Sequence, residues 1–421
     1  MRAVPVHQRR LGRQGAQKPW QPDRSPFCHD DNPACVRNSA PREFVTTSPA
    51  KTGSPDALGS WLVALVEALV FDSLGAIGPG RAAGPWPLEH GRRRAYPALG
   101  PAVALAWLAR VGQLDRAREM AVATLDWYRD IAPVSRLPRP VYRAASRFGR
   151  TTPTWTPGAA ISAGAMLGWV IAGLEEDLTE ARRREAIRLL TKCYDDTVRV
   201  TRLRHYINGN YQIPLCELAY FRWRFTGAAA ATDTYEQCVE FLCEPVRTDP
   251  KWRGHGFRLD SPPTRADWHD AIGYFSETPR RAAITDGAFD GEYTQLQLDY
   301  VIRLWLLTGD ARMLRYANAL LNALLPLTDM ETWRCDFRSG TRRQHIVPFW
   351  NAALATMVLH DPRPEFSDGQ VRDQVTRAID AEWRQRAVRG TIDDYCLRAY
   401  GLTMLNLLLV GSPALHSSLR C

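Results

Sequence analysis

Apolar and polar positions follow two helical patterns along this chain. In the first, a stretch is apolar nearly all round, which predicts a helix buried on every side. Six stretches show it: Tyr96–Gly112, Pro157–Gly173, Tyr211–Gly227, Tyr293–Gly309, Val347–Asp361 and Tyr395–Gly411. In the second, one face is charged, which predicts a helix with one side in water: Asp115–Ile131, Thr179–Val200, Asp233–Val246, Asp310–Leu327 and Asp368–Val388. Strand-like alternation is scarce, so the chain is expected to be helical almost throughout.

Four of the apolar stretches share a spacing in which a tyrosine is followed sixteen residues later by a glycine. The pairs are Tyr96/Gly112, Tyr211/Gly227, Tyr293/Gly309 and Tyr395/Gly411. Sixteen residues of helix span about 24 Å, and a terminal glycine is a natural helix C-cap. The spacing therefore predicts a repeated helical hairpin, in which a buried helix, a short glycine turn and an amphipathic helix follow one another.

This alternation of buried and amphipathic helices resembles the α/α toroid fold, in which six inner helices are ringed by six outer helices. The apolar run Leu58–Leu74 would supply the sixth outer helix. The expected fold class is all-α, an (α/α)6 toroid over residues 55–421. The resemblance implies the functions found on that fold, which include polysaccharide lyases, glycoside hydrolases and sugar epimerases, and also terpene and lanthipeptide cyclases.

The first 54 residues differ from the rest in composition. They are rich in Pro, Arg, Ser and Gly, and they contain few aliphatic residues, which predicts a disordered basic tail. This tail carries about half of the formal net charge of +9. The remainder is mildly basic and shows no nucleic-acid-binding motif, so a nucleic-acid partner is not expected.

Targeting and cofactor signals are also missing from the sequence. No secretory h-region follows the first residues, and no run is apolar enough for a membrane span, which predicts a cytoplasmic protein. The nine cysteines form no C-x-x-C pair. No motif for a metal or a nucleotide occurs, so neither a metal nor another cofactor is expected.

Candidate chemistry lies directly before the inner helices. These helices run parallel in a toroid, so the residues that precede them are expected to gather at one rim. "N-G-N-Y" supplies Asn208 and Asn210, and "D-G-E-Y" supplies Asp290 and Glu292. Amides and carboxylates suit acid–base chemistry and sugar binding. Asp and Asn are also preferred N-caps, so capping alone is an equally good interpretation, although it explains Asn210 and Glu292 less well.

A long insertion enters the same rim. Successive inner helices mostly start 48 to 61 residues apart, whereas Tyr211 and Tyr293 are 82 apart. The surplus, Lys251–Arg281, is rich in aromatic residues, His and Arg, which indicates a functional rather than a disordered loop. A second basic loop, Asp336–Trp350, precedes the fifth inner helix.

Two sets of candidate residues follow from these segments. The candidate catalytic residues are Asn208, Asn210, His255, Tyr274, Asp290, Glu292 and Tyr293. The candidate substrate-binding residues are Tyr211, Trp268, His269, Arg280, Arg281, Asp286, Arg342, His345, Trp350 and Asp394. The expected partner is a carbohydrate or another small molecule in a central bowl.

The resemblance to toroid polysaccharide lyases implies β-elimination on a uronic acid polymer. An amide of Asn208 or Asn210 would neutralise the uronate, and His255, Tyr274 or Tyr293 would transfer protons. Two alternatives remain: a glycoside hydrolase that uses carboxylates among Asp286, Asp290 and Glu292, or a non-catalytic helical binding module. The Asp-rich motifs of terpene cyclases and the Cys/His zinc ligands of lanthipeptide cyclases are not recognisable in the sequence.

Overall fold

The structure is a computed structural model. It describes residues 99–112, 114–131, 157–200, 209–243, 257–275, 289, 291–335, 349–350, 357, 374, 377–378, 381, 401–402 and 404–409. The expected tail at residues 1–54, the run Leu58–Leu74 and most of the fifth hairpin lie outside these residues. The domain boundary at residue 55 therefore stays a prediction.

The described part of the chain is dominated by eight α-helices. In chain order they are α1 (Leu99–Gly112), α2 (Asp115–Ile131), α3 (Pro157–Gly173), α4 (Glu180–Val200), α5 (Gly209–Thr226), α6 (Ala229–Cys243), α7 (Gly291–Thr308) and α8 (Ala311–Leu324). A 3₁₀ turn, Leu325–Leu327, follows α8, where Pro326 lacks the N–H that a continued α-helix needs.

The helices pair as four hairpins, in which an odd-numbered helix packs against the even-numbered helix that follows it. The odd-numbered helices also pack against one another in chain order, α1 on α3, α3 on α5 and α5 on α7. They are the inner layer, because they are buried almost all round, whereas the even-numbered helices keep a charged face in water. This arrangement confirms the predicted all-α toroid of helical hairpins.

Glycines end two of the inner helices as the repeat predicted. Gly227 and Gly309 have φ values of 63° and 70°. Their N–H groups donate to the carbonyls of Trp223 and Trp305 over 2.7 and 2.8 Å, which closes the last turn of α5 and of α7. A left-handed residue after a helix is favourable only for glycine, so the chain can turn here at once into the outer helix.

Small residues and aromatic rings let the inner helices approach closely. A Cβ on Gly168 of α3 would overlap the ring of Phe221 on α5. The Trp169 ring lies edge-on to Trp107 and to Phe221, with centroids 5.8 and 5.1 Å away. Trp107 donates its indole N–H to the carbonyl of Trp169 over 3.0 Å. These contacts join α1, α3 and α5 as one layer.

The last described inner segment, residues 401–409, returns to the first inner helix. Gly401 lies so close to α1 that a Cβ would overlap the carbonyl of Gly100. On the same segment, Asn406 donates to a carboxylate oxygen of Asp299 on α7 over 2.6 Å. The segment therefore touches both the first and the fourth inner helix, which closes the inner layer.

Replacing Gly401 by alanine is expected to open this closure. The new methyl group must displace backbone, which is expected to destabilise the protein by about 1–3 kcal/mol. Hydrogen exchange followed by mass spectrometry should show faster exchange in residues 401–409. Gly227→Ala serves as the control, because its Cβ meets open space and it strains only a surface turn. Equal exchange in 401–409 for both variants would contradict the closure.

Short β-strands depart from the expectation that strand-like patterns are scarce. Strands β1 (Phe257–Ser261) and β2 (Ile272–Phe275) pair antiparallel inside the long insertion. Strands β3 (Thr328–Asp329), β4 (Arg334–Cys335) and β5 (Phe349–Trp350) form a second small sheet. Alternation could not reveal them, because each strand has at most five residues and the β1–β2 register shifts between Leu259 and Ser261.

Candidate functional site

Two inner helices begin one residue after the candidate cap positions. Helix α5 starts at Gly209 and α7 at Gly291. In the sequence, Asn208 and Asp290 directly precede these starts, whereas Asn210 and Glu292 are the second residues of the helices. By position in the sequence, the N-cap interpretation fits the first pair better than the second. The first turn of a helix carries unpaired N–H groups and a partial positive charge, which favour anionic ligands.

Strand β2 of the long insertion contacts the start of α5. A Cβ on Gly209 would lie 3.0 Å from the Cβ of Phe275 on β2 and 3.0 Å from the side-chain nitrogen of Gln297 on α7. The Tyr274 ring meets the Phe289 ring edge-on, with centroids 5.0 Å apart. Phe289 lies two residues before α7. Strand β2 therefore contacts the start of α5 and the residue Phe289 just before α7, and the start of α5 also faces Gln297 in the second turn of α7. We call this region the rim junction.

The β1–β2 hairpin is held firmly enough to position side chains there. The rings of Phe257 and Phe275 pack on Tyr316 of α8, with centroids 4.8 and 5.2 Å from it. Asn318 donates to the carbonyl of Asp267 over 2.8 Å, and Asn322 donates to two carbonyls of the hairpin, those of His269 and Ala271. Because α8 supplies these partners, the hairpin is docked on the helical body.

The candidate residues within the hairpin differ in accessibility. Trp268 is 3% exposed, and its ring packs on Phe257 and Tyr316. Tyr274 is also 3% exposed. His269 is half-buried in the loop between the strands, where its main-chain N–H donates to Asp267 over 3.2 Å.

Two candidate tyrosines lie in the first turns of α5 and α7. Tyr211 is 38% exposed, and Tyr293 is half-buried. Each occupies the third position of its helix, so the two are equivalent in the repeat. Both therefore belong to first turns beside the rim junction, and both are partly accessible to solvent.

For one further candidate residue the structure describes the backbone position. Trp350 lies in β5, with its backbone opposite Arg334 of β4. The remaining candidates lie outside the described residues: Asn208, His255, Arg280, Arg281, Asp286, Asp290, Arg342, His345 and Asp394.

A buried polar cluster deeper in the inner layer was missed by the sequence analysis. Arg303 of α7 donates from Nε to Glu217 of α5 over 2.9 Å and from Nη1 to Asp299 over 2.6 Å. Asn406 binds the other oxygen of Asp299 over 2.6 Å. All four residues are at most 8% exposed. Glu217 and Asp299 each lie six residues after the repeat tyrosine, and this shared position was the available sequence signal.

Burial alters the chemistry of Glu217. Loss of solvation raises the pKa of this carboxyl to about 7, although Arg303 acts in the opposite direction. A cavity of about 10 Å³ adjoins it, lined by residues that include Ser162, Met166, Tyr300 and Leu402. Such a volume suits about one water molecule. A sugar ring is larger than this cavity.

Within the described residues, no three His, Cys, Asp or Glu side chains are grouped so that they could hold a metal ion. None of the described helices is both long and apolar enough to cross a membrane.

These observations define an all-α protein whose helical hairpins form an α/α toroid. No protein-family model matches the chain, and no curated protein matches it. Among solved structures, the chain is similar to the chondroitin AC lyase of Streptomyces coelicolor A3 in complex with chondroitin sulphate, at 16% identity and a TM-score of 0.42. A mutant of that lyase gives 15% identity and a TM-score of 0.40.

The alignments cover 84% and 85% of this chain but 46% of each lyase chain. The chain therefore spans about half the length of the solved structures that it matches. At these identities and TM-scores the likeness assigns the chain to no family.

Proposed function

We propose that this protein is a carbohydrate-active enzyme that cleaves uronic acid-containing polysaccharide by β-elimination at the rim junction. The observation that carries the proposal is the contact of strand β2 with the start of α5 at Gly209 and with Phe289 just before α7. In this proposal the two helix starts and the docked hairpin would supply amide donors, a carboxyl group and tyrosines. Elimination next to a carboxylate needs groups of these kinds.

The uronate carboxylate must be neutralised before the C5 proton can leave. Unpaired N–H groups at the first turns of α5 and α7 bind anions, because the helix start carries partial positive charge. Asn208 or Asn210 would add a side-chain amide to these donors. Arg280 and Arg281, which follow the hairpin in the sequence, would clamp the acidic polymer.

Proton transfer is the second requirement. We assign it to Tyr293, which is half-buried in the first turn of α7. His255 and Tyr274 are the other candidates for proton transfer. The base takes the C5 proton, the C4–C5 double bond forms, and the C4–O bond breaks. The leaving oxygen takes a proton from an acid at the same rim.

The test is a panel of polysaccharides incubated with the purified protein. Uronic acid polymers, among them chondroitin sulphate, hyaluronan and alginate, form one arm, and a neutral glucan is the matched control. Elimination creates an unsaturated sugar, so ultraviolet absorbance should rise together with new chain ends in the uronate arm alone.

Two other outcomes would contradict the proposal. New reducing ends without ultraviolet absorbance would indicate hydrolysis and overturn the elimination. If neither signal appears on any polymer, the catalytic proposal fails and the non-catalytic binding module takes its place.

A further inference from the structure

The buried polar cluster joins three separate parts of the inner layer. Glu217 belongs to α5, Asp299 and Arg303 to α7, and Asn406 to the closing segment 401–409. The single guanidinium of Arg303 thus binds two carboxyl groups. When both carboxyl groups are ionised, the cluster carries one net negative charge. Burying such a charge is costly, since water cannot solvate it there.

The two carboxyl groups are not equivalent. Asp299 accepts from Arg303 Nη1 over 2.6 Å and from the Asn406 amide over 2.6 Å. Within the cluster, Glu217 accepts one hydrogen bond, from Arg303 Nε over 2.9 Å, and the Trp169 indole of α3 also acts to lower its pKa. Hydrogen bonds to an ionised carboxylate stabilise its charged form. Asp299 therefore carries more of the hydrogen bonding within the cluster, and Glu217, whose pKa is raised by burial, is the group that takes up a proton.

Outside the cluster, the Trp169 indole of α3 favours the ionised form of Glu217, but the loss of solvation outweighs it. Helix α3 presents Ser162 and Met166 to the neighbouring cavity, and the closing segment presents Leu402. From α7, the titratable Tyr300 lies with its ring 5.0 Å from the guanidinium carbon of Arg303. Among the described charged residues, Arg303 and Asp299 are those that act on Glu217.

We propose that Glu217, Arg303, Asp299 and Asn406 form a proton-operated clasp that holds the closing segment 401–409 against α5 and α7. With one proton on the carboxyl pair, the cluster is neutral and the inner layer is closed. When the proton leaves, the two carboxylates repel each other, and this repulsion displaces Asp299, the group that binds Asn406 of the closing segment. The clasp operates whether or not the protein is a lyase, and its test needs no substrate.

The direction of the pH effect follows from the pKa of Glu217. Its folded value of about 7 lies above the ordinary value of 4.5, so the folded state binds the proton more tightly than the unfolded state does. Stability is therefore greater at low pH and is lost as pH rises toward about 7. The folding equilibrium constant should fall by about tenfold for each pH unit between the two pKa values, and by roughly 30-fold from pH 5.5 to 8.

Denaturant unfolding at pH 5.5 and pH 8 tests the clasp. The comparison is between the wild type and Glu217→Gln, which mimics the protonated state and leaves Asp299 and Arg303 as a neutral pair. From pH 5.5 to pH 8, the folding equilibrium constant of the wild type should fall by a factor roughly 30 times larger than that of the variant. Glu185→Gln is the matched control, because it removes a glutamate that pairs with Arg188 at the surface, and it should keep the wild-type pH dependence.

A pH dependence in Glu217→Gln equal to that of wild type would overturn the clasp. A second measurement uses the wild type alone, should the variant fail to fold. Infrared titration of the folded protein should detect one protonated carboxyl band that persists above pH 6 and disappears near pH 7. Absence of that band would also overturn the proposal.

Discussion

Replacing Arg303 by methionine is expected to lower the free energy of unfolding by about 3–5 kcal/mol. The side chain is fully buried and bonds both Glu217 and Asp299. Methionine fills much of the volume but leaves two carboxyl groups without a cation, and neither is solvated. The midpoint of denaturant unfolding at pH 8 measures the loss, since both carboxyl groups are then most strongly driven to ionise.

The control for this loss is Arg188→Met on α4. Arg188 also pairs with a carboxylate of its own helix, Glu185, at 2.6 Å, but its side chain is 53% exposed. A solvated pair of this kind contributes about 0–1 kcal/mol. The triple variant Arg303→Met, Glu217→Gln and Asp299→Asn removes all three charges and should recover part of the stability. Equal losses for Arg303→Met and Arg188→Met would contradict the structural role of the cluster.

The architecture was predictable because its signals are local. Burial all round marks an inner helix within its own sequence, and a glycine such as Gly227 or Gly309 ends it through a turn that needs φ > 0. The sixteen-residue spacing then gives the length of each inner helix. Boundaries were less accurate: α6 begins at Ala229 instead of Asp233, because the preceding alanines are strong helix formers.

The β1–β2 hairpin could not be predicted, because its order depends on distant residues. Asn318 and Asn322 of α8 bind its backbone from about fifty positions away. The strands themselves are short and partly exposed, so they leave no clear alternation. Only the aromatic content of the insertion indicated that it is ordered. In the structure, two of these aromatic residues, Phe257 and Trp268, pack on each other.

For the candidate site, the sequence predicted a position in the fold rather than a complete set of residues. The repeat indicated that the starts of α5 and α7 lie side by side, and the insertion was expected to overhang them. Gly209 and Phe289 now supply contacts of that kind with strand β2. The buried cluster was overlooked because Arg303 and Glu217 are 86 residues apart, and charged residues in apolar helices give no pairing signal.

Replacing Tyr293 by phenylalanine is expected to lower the rate of elimination by about 100-fold or more. The change removes one hydroxyl from the first turn of α7 and keeps the ring, so the fold should be unaffected. Tyr194→Phe is the matched control. The Tyr194 hydroxyl bonds Thr234 and the carbonyl of Ala230, near the start of α6. Helix α6 follows the end of α5, so this hydroxyl lies at the opposite end of the hairpin from the rim junction.

The measurement that tests the central claim most directly is the rate of ultraviolet absorbance increase on a uronic acid polymer for these two variants. Elimination at the rim junction predicts a loss of about 100-fold or more for Tyr293→Phe and a rate near that of wild type for Tyr194→Phe. Denaturation midpoints close to the wild-type value would show that both variants are folded. A wild-type rate in Tyr293→Phe, or an equal loss in both variants, would contradict an active site at the start of α5 and α7.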